Sequence, residues 1–292
     1  MAGSVRVRAA AKVNLHLRVY GRRADGFHSI LSLFQAVSLA DSIVIRSLKE
    51  FDTIEIDGDF DCPPRFTTVF KAAQAYRAAT GIRTGLGISV DKKIPAGAGL
   101  GGGSSDAAAI LTGLEALLRG GLDATTIGDL GASIGSDVPF FLSAAAAFVS
   151  GRGEIVDPIA ARDDFSLVIA CPGFSISTAE AYSCLDVERP DGSAEPDPGR
   201  EELDLAYKGD IRQWPFANSF EKVIGRTRPE ILEAKNLITS AGAAFASMSG
   251  SGSAIYGVFE DERTERTAII GLQAAGFSTF AVSPLARCST LD

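Results

Sequence analysis

The sequence predicts an α+β fold of two domains, and three observations carry that prediction. Apolar and polar residues alternate over residues 13–20 and again from Phe165, which is the period of a strand with one buried face. Helical spacing appears between the strands, without the regular strand-helix alternation of a doubly wound sheet. The 292 residues suffice for two cores. We expect an N-terminal domain over 1–160 and a C-terminal domain over 161–292.

The N-terminal part contains short apolar runs that predict its elements. Strands are predicted at residues 13–20, 43–46, 54–56, 86–90, 146–149 and 154–156, and helices at 69–79 and 122–134. Alternation in the first strand puts its polar side chains on one face, and these are Lys12, Asn14, His16 and Arg18. That face is a candidate site surface.

The C-terminal part begins with a strand at residues 165–170. Further strands are predicted at 254–259 and 277–282, with helices at 220–226, 231–241 and 262–275. Residues 188–201 are rich in Pro, Asp, Glu and Gly, which predicts an exposed loop.

Residues 95–109, PAGAGLGGGSSDAAA, are the most informative segment. Glycines adopt positive φ and let the main chain approach an anion closely. Helical periodicity follows at Ala107, Ile110, Leu111, Leu114, Leu117 and Leu118. A helix that starts where the glycines end, with Ser104 or Ser105 as its N-cap, directs free N–H groups into the loop. We therefore expect a polyphosphate to contact Pro95, Gly97, Gly99, Leu100, Gly101, Gly102, Gly103, Ser104 and Ser105.

One familiar phosphate-binding motif is excluded for this segment, and two other interpretations stay open. It is not a Walker A motif, because Ser104 follows Gly103 without an intervening lysine. Gly97, Gly99 and Gly102 match G-x-G-x-x-G, but a dinucleotide fingerprint belongs in the first strand-to-helix turn of a domain, and this one begins nearly a hundred residues into the chain. A plain glycine turn before a capped helix is the remaining alternative.

Composition excludes several classes of protein. There are 28 basic and 36 acidic side chains, a net charge of −8, which argues against broad binding to nucleic acid or anionic membranes. The longest uncharged apolar run, residues 138–150, is too short to cross a bilayer, and no signal peptide is seen, so we expect a cytoplasmic protein. The four cysteines lack metal-ligand spacing and there are two histidines, so we expect reduced thiols and no multi-histidine metal site.

Four segments, taken in order, resemble one family. They are AAKVNLHL followed by ADGFHSI at residues 10–30, the glycine segment, IGSDVPF at 134–140, and SMSGSGS at 247–253. Together they resemble the GHMP family of small-molecule kinases, from about Lys12 to the C-terminus. The ADGFHSI element is similar to a subgroup that phosphorylates a cytidine diphosphate-linked methylerythritol.

The resemblance implies an architecture and a set of ligands. We expect an N-terminal domain like ribosomal protein S5 and a ferredoxin-like C-terminal domain, with both ligands bound between them. ATP is the implied co-substrate, and Mg²⁺ is expected to accompany its phosphates, since no obvious carboxylate pair is present to hold the metal. No nucleic acid or membrane partner is expected, and the chain should be a monomer or a weak homodimer.

The resemblance also assigns the catalytic pair. Asp137 would accept the proton of the attacking hydroxyl, and Lys12 would lie beside it, keep it ionised and attract the transferring phosphoryl group. The alternatives are an aspartate at a helix C-terminus or turn, since Pro139 follows, and a solvated strand lysine.

For the acceptor, the resemblance makes His28 the reader of a cytosine edge, with one ring nitrogen donating and one accepting. Phe27 and Tyr182 would stack on the base, with Phe174 as a core residue instead. Asn14 would bond hydroxyls or a phosphate, and His16 would be a packing residue. A second glycine-hydroxyl turn, from which we expect Ser249, Gly250 and Gly252 to contact substrate, would brace a phosphate.

Three departures from the family pattern matter. Ser219 stands where an acidic residue is usual, so any contact that needs that carboxylate is in doubt. Thr67 and Thr68 replace an Asn-Leu pair near the adenosine region. Asp106 adds negative charge beside the expected polyphosphate, which calls for a cation between them. Two rival functions remain: a GHMP kinase for mevalonate or homoserine, and a nucleotide-binding regulator without turnover.

Overall fold

The computed structural model describes residues 3–189 and 198–291 and contains eleven strands in those ranges. They are β1 (Ser4–Arg22), β2 (His28–Phe51), β3 (Ile54–Gly58), β4 (Thr84–Asp91), β5 (Ala146–Gly151), β6 (Ile155–Pro158), β7 (Ser166–Cys171), β8 (Phe245–Met248), β9 (Ile255–Phe259), β10 (Ser278–Val282) and β11 (Ser289–Leu291). One sheet has the order β11-β1-β2-β4-β3, with β5 pairing both β2 and β6. The other has the order β10-β7-β9-β8.

The described residues also contain nine α-helices. They are α1 (Thr68–Thr80), α2 (Gly102–Leu118), α3 (Ala124–Ile134), α4 (Val138–Ser143), α5 (Thr178–Glu188), α6 (Arg200–Lys208), α7 (Glu221–Thr227), α8 (Pro229–Ser240) and α9 (Glu262–Ala274). The α+β prediction is confirmed. None of the described helices is long and apolar enough to cross a membrane.

Helix α2 packs against the first sheet and so fixes where its own N-terminus lies. Ile110, Leu111 and Leu114 are fully buried, and burying each aliphatic side chain contributes about 1.5–3 kcal/mol. A Cβ on Gly113 would come within 2.7 Å of Ile45, so glycine is what allows the helix to approach the sheet this closely. The glycine loop, residues 95–105, is thereby held at one end of a buried helix.

The N-cap prediction for α2 is wrong. Gly101 is the N-cap, at φ 75°, and the helix starts at Gly102, so Ser104 and Ser105 lie inside its first turn. A glycine with positive φ leads the chain into the helix without a side-chain cap. The consequence is that backbone N–H groups of the first turn face the loop with no hydroxyl covering them.

Strand β1 differs from the expected half-buried strand. Lys12, Asn14 and His16 are all buried, although they alternate with apolar residues. The pairing with β2 shifts register between Asn14 and His16, and Tyr256 of the second sheet donates a hydrogen bond to the Asn14 carbonyl at 3.0 Å. On the polar face, Lys12 is covered by the glycine loop, where it bonds the Gly99 carbonyl, and His16 by the C-terminal part, where its Nδ1 accepts from the Ala217 amide at 3.3 Å.

Several elements were not predicted. Pro139 stands in the first turn of the short helix α4 and does not end a helix there, which suits its fixed φ. Helices α5, α6 and strand β8 were also missed, and β2 is far longer than residues 43–46. Residues 190–197 of the predicted loop lie outside the described residues, and its two ends are helical in α5 and α6.

The chain returns to its first sheet at the end. β6 closes at Pro158 and β7 opens the second sheet at Ser166, on either side of the proposed boundary at 160. β11 then pairs with β1 at Val7↔Leu291. The boundary at 160 stays a prediction, and residues 289–291 contribute to the first sheet.

Candidate active site

Two cavities meet at the glycine loop. The first, of about 640 Å³, is lined by residues from both parts of the chain, including Lys12, His28 and Asp137 from the N-terminal part and Tyr182 and Gly250 from the C-terminal part. The second, of about 390 Å³, lies over the other side of the loop, against Thr68 and Lys92. Both sizes suit small ligands. Four glycine-loop residues line both cavities, and these are Gly97, Gly99, Gly101 and Ser104.

Lys12 and Asp137 lie together in the first cavity, as the sequence predicted. Lys12 Nζ is 3.8 Å from Asp137 Oδ2, and the side chains are 4% and 26% exposed. Lys12 comes from the middle of β1, whereas Asp137 stands at the N-cap of α4. A buried cation thus faces a carboxylate that remains accessible to a ligand, which is the arrangement required of a base beside a charge-stabilising group.

The Lys12 ammonium is held from several sides. It donates hydrogen bonds to Asn14 Oδ1 and, at 3.1 Å, to the Gly99 carbonyl oxygen, and it lies 4.6 Å from the centre of the Phe34 ring. Burial lowers its pKa below the ordinary 10.5, and the nearby Asp137 charge opposes that shift. Asn14 is fixed in turn, because its Nδ2 donates to Ser32 Oγ at 2.9 Å. Asn14 therefore positions Lys12, besides lining the cavity.

The glycine loop leaves no room for side chains at its tightest points. Gly99 has φ 78°, and a Cβ there would come within 2.1 Å of the Ser249 carbonyl oxygen. Gly101 has φ 75°, and a Cβ there would come within 3.1 Å of the Lys12 side chain. Amides at the start of α2 then face the space that both cavities share. Free amides at the positive end of a helix have the geometry and polarity of an anion cradle, and we refer to the amides of Gly102, Gly103 and Ser104 by that term.

The turn at residues 247–253 braces this loop. Ser249 Oγ donates to the Gly99 carbonyl at 2.8 Å and accepts from the Asn14 amide at 3.2 Å, and Ser249 is fully buried. Gly250 lines the first cavity. A Cβ on Gly252 would meet Met248 and Ile176. Of the three predicted substrate contacts in this turn, the geometry brings only Gly250 to the cavity.

Ser219 takes a structural role in place of an acidic side chain. Its Oγ accepts a hydrogen bond from the Val19 amide at 3.1 Å. Asn218 Nδ2 donates to the carbonyls of Met248 and Gly250 at 2.7 and 2.8 Å. The carboxylate of Glu221 accepts from the Met248 amide at 2.9 Å. The carboxylate that supports the 247–253 turn thus belongs to Glu221.

His28 lies at the far end of the first cavity. Its Nδ1 is 2.9 Å from the Tyr20 carbonyl oxygen, so Nδ1 carries a hydrogen and donates it. Its Nε2 is 3.0 Å from Asp186 Oδ1, and its ring stacks on Tyr182 at 5.0 Å. Both ring nitrogens thus face oxygen atoms of the protein, and a ligand reaches Nε2 only by displacing Asp186, in contrast to the prediction that both ring nitrogens read one.

Phe27 and Tyr182 differ in environment. Phe27 is 56% exposed, and the Arg152 guanidinium lies 5.0 Å from its ring centre. Burial raises the pKa of Tyr182 to about 12, with the Asp137 charge adding to the shift, so its phenol stays neutral. Phe174 is half-buried and packs against a buried apolar cluster that includes Ile176 and Phe220, as expected. His16 also packs as expected, with Nδ1 accepting from the Ala217 amide.

Sequence reasoning missed Arg152 and Asp186, which line or border the first cavity. Asp186 follows Tyr182 by four residues, one turn of α5, so the helix puts both on the same face. Recognising α5 would have revealed Asp186. Arg152 lies between Gly151 and Gly153, and nothing in that turn marked it.

The residues near the glycine loop that depart from the family pattern, Thr67, Thr68 and Asp106, line the second cavity. Thr67 Oγ1 caps α1 by accepting from the Phe70 amide at 3.2 Å, and Thr68 Oγ1 donates to the Gly103 carbonyl at 2.5 Å. Lys92 Nζ lies 2.7 Å from Asp106 Oδ2. The cation that offsets the negative charge of Asp106 is therefore Lys92. Pro95, Leu100, Gly102 and Gly103 line this cavity, whereas Ser105 is buried inside α2.

Family models match both domains. Residues 67–145 match the GHMP kinases N terminal domain, and residues 202–276 match the GHMP kinases C terminal domain. The chain belongs to the GHMP kinase family and has its two-domain fold.

Individual relatives show which kinases of the family the chain is similar to. The chain is 40% identical to the 4-diphosphocytidyl-2-C-methyl-D-erythritol kinase of Treponema pallidum (strain Nichols), covering 91% of this chain and 93% of that one. A crystal structure of 4-(cytidine 5'-diphospho)-2C-methyl-D-erythritol kinase superimposes with a TM-score of 0.81 at 34% identity, covering 97% and 99% of the two chains. The homoserine kinase of Cytophaga hutchinsonii ATCC 33406 shares the fold, with a TM-score of 0.68 at 20% identity and coverage of 99% and 97%.

Proposed function

We infer that this chain transfers the γ-phosphoryl group of ATP to the 2-hydroxyl of 4-diphosphocytidyl-2-C-methyl-D-erythritol, a step in non-mevalonate isoprenoid precursor biosynthesis. The observation that carries the inference is the Lys12–Asp137 pair, which lies beside an amide cradle where two ligand-sized cavities meet. The family supplies ATP as co-substrate. The relatives named above supply the identity of the acceptor.

The glycine loop is proposed to hold the ATP phosphates. Amides of Gly102, Gly103 and Ser104 stand in the first turn of α2, where N–H groups lack helical acceptors and the helix dipole favours anions. The second cavity, beside Thr67 and Thr68, would then receive the nucleoside. The γ-phosphate would point through the loop toward the first cavity.

Mg²⁺ is proposed to arrive with the ATP phosphates. Ser104 lines the first cavity and offers a hydroxyl oxygen, the kind of hard donor that Mg²⁺ prefers. No group of three or more His, Cys, Asp or Glu side chains within residues 3–189 and 198–291 is arranged as a metal site. The metal would neutralise phosphate charge during transfer.

Direct in-line transfer fits this arrangement. The acceptor oxygen attacks the γ-phosphorus, its proton passes to Asp137, and the bond from phosphorus to the bridging oxygen breaks, so that ADP leaves with the electron pair. Lys12 would stabilise charge on the transferring group while it keeps Asp137 ionised. Asn14 and the Gly99 carbonyl would orient the ammonium throughout.

The cytidine end of the acceptor is proposed to lie against His28. The Asp186 carboxylate, which lies beside His28 Nε2, accepts hydrogen bonds, and a cytosine amino group is a matching donor. Phe27 and Tyr182 would contact the faces of the base. Gly250 would contact the acceptor's diphosphate from the 247–253 turn.

A coupled assay for ADP release tests the proposal directly. The protein would be given ATP and Mg²⁺ with 4-diphosphocytidyl-2-C-methyl-D-erythritol, mevalonate, homoserine or no acceptor. We expect acceptor-dependent ADP release with the cytidine compound alone. Turnover with mevalonate or homoserine would reassign the substrate, and absence of acceptor-dependent release with all three would refute a kinase function for these substrates.

A further inference from the structure

A buried charged cluster joins the two ends of the glycine loop. Lys92 Nζ is 2.5 Å from Asp41 Oδ2 and 2.7 Å from Asp106 Oδ2. Asp41 is fully buried in β2, and Asp106 is 2% exposed in the second turn of α2, directly after the loop. Lys92 precedes the loop and Asp106 follows it. The ammonium therefore connects the start of the loop, its end and the underlying sheet.

Asp41 also holds the main chain at the start of the loop. Its Oδ1 accepts hydrogen bonds from the amides of Lys93 at 2.5 Å and Ile94 at 2.8 Å. Charge-assisted hydrogen bonds to backbone amides are stronger and more restrictive than neutral ones. Five glycines in the following segment have little conformational preference of their own. Fixing both ends is what such a segment requires in order to keep one shape.

The charges of the cluster interact strongly. Burial raises the pKa of Asp106 to about 7, while Lys92 opposes the shift and Asp41 adds to it. Oδ1 of Asp106 has no hydrogen-bond partner in the described part of the chain, which also disfavours the ionised form. Burial lowers the pKa of Lys92, but the two carboxylates outweigh it and raise that pKa overall. Lys92 is thus held charged between its two partners.

We propose that Asp41, Lys92 and Asp106 form a positioning cluster that sets the shape of the phosphate-binding loop by fastening its two ends to each other and to β2. The proposal rests on the proposed function, because it assigns the loop to ATP. The three residues act through the loop amides and are not catalytic residues. Their loss should weaken binding of nucleotide and leave binding of the acceptor in the first cavity unaffected.

Asp41→Asn separates positioning from simple electrostatics. The amide keeps an oxygen for the two backbone N–H groups, but its NH₂ faces Lys92 and breaks the bridge. The change removes a negative charge near the anion cradle, so electrostatics alone would tighten ATP binding. Loss of positioning instead raises the ATP KM and the ADP Kd, by about tenfold for an interaction of this strength. Acceptor KM should change less than twofold.

Lys93→Met is the matched control. Lys93 is the neighbouring lysine, its side chain is 60% exposed, and it pairs with Asp91 at the surface. ATP KM should stay within twofold of the original protein. An Asp41→Asn protein that folds, as judged by its circular dichroism and melting curve, and binds ADP as tightly as the original or more tightly would overturn the proposal.

Asp106→Leu is the second test variant, to be used if Asp41→Asn does not fold. It also removes a negative charge, suits a helix interior and releases the end of the loop. The expected direction is again a higher ADP Kd, and an unchanged or lower value overturns the proposal. Measuring ADP binding by calorimetry keeps this result separate from the proposed function, because it does not depend on which acceptor is phosphorylated.

Discussion

The two ends of the first cavity are built differently. At the glycine-loop end, Lys12 is 4% exposed and has an amide oxygen, a carbonyl oxygen and an aromatic face around it. At the opposite end, Phe27 is 56% exposed, and the Arg152 guanidinium lies over its ring. One end is fixed by burial, whereas the other combines the exposed Phe27 with the half-buried His28 and Tyr182.

We infer from this difference that the buried end serves phosphoryl transfer and the other end serves recognition of the acceptor. Groups that act on a transferring phosphoryl must be in place before reaction, and burial in a hydrogen-bonded network achieves that. The residues proposed to contact the acceptor come from both halves of the chain, His28 from β2 and Tyr182 from α5. We therefore expect substitutions at the buried end to change kcat, and substitutions at the exposed end to change the acceptor KM.

Asp137→Ala should have the largest effect. It removes the proposed base, so kcat should fall by about 10²–10⁴, while the ADP Kd stays within about threefold because the loop amides are untouched. Single-turnover kinetics and calorimetry measure the two quantities. Asp129→Ala, an exposed aspartate on α3, is the control. A kcat near that of the original protein would remove Asp137 from the role of base.

The lowered pKa of Lys12 predicts that kcat falls at alkaline pH. Burial lowers its pKa below 10.5, so the ammonium loses its proton at a lower pH than an exposed lysine does. The charged form is present below that pKa, and kcat should therefore fall as the pH rises through it. Lys12→Arg keeps the charge and should remove this alkaline fall from the pH profile of kcat, although kcat itself should drop, since the fork of an arginine does not fit the Asn14–Gly99 site.

If kcat in the original protein remained flat until lysine's ordinary pKa, Lys12 would not be the buried cation on which transfer depends. The same conclusion would follow if the Lys12→Arg profile showed an unaltered fall. Circular dichroism at each pH distinguishes loss of chemistry from loss of folding.

The buried end was the easier to predict from sequence. Glycines, lysine and aspartate stand in short ordered segments, and backbone geometry makes their spacing diagnostic. The burial of Lys12 and Asn14 could not be inferred, because alternation indicates which residues share a face and not what packs against that face. The N-cap was assigned to the wrong residues because a serine cap is the usual choice, while a positive-φ glycine serves here.

The exposed end was predicted in part. His28, Phe27 and Tyr182 were named, and the structure brings His28 and Tyr182 into ring contact. Asp186 and Arg152 were missed because they come from α5 and from the turn after β5, and tertiary folding alone brings them near residues of β2. Long-range pairs of this kind have no signature in local periodicity.

His28→Ala tests the exposed end most strongly. Loss of the Nε2 group and of the ring stacked on Tyr182 should raise the acceptor KM by about tenfold, from one hydrogen bond and one aromatic contact. The ATP KM should be unchanged. His28→Gln is the companion variant, because it restores a polar group without the aromatic ring and should recover part of the loss. An unaltered acceptor KM in the alanine variant would exclude His28 from the site.

Phe27→Ala should have the smallest effect, because an exposed ring that stacks on one face of a base contributes about 1 kcal/mol or slightly more. We expect the acceptor KM to rise about fivefold, with kcat and the ATP KM preserved. Phe51→Ala is the control, since Phe51 is 81% exposed at the end of β2 and lies outside the lining of both cavities. Phe27→Tyr should bind the acceptor at least as well, because the aromatic face is retained. If Phe27→Ala lowered kcat and left the acceptor KM unchanged, the exposed end would take part in chemistry, and the separation between the two ends of the cavity would be wrong.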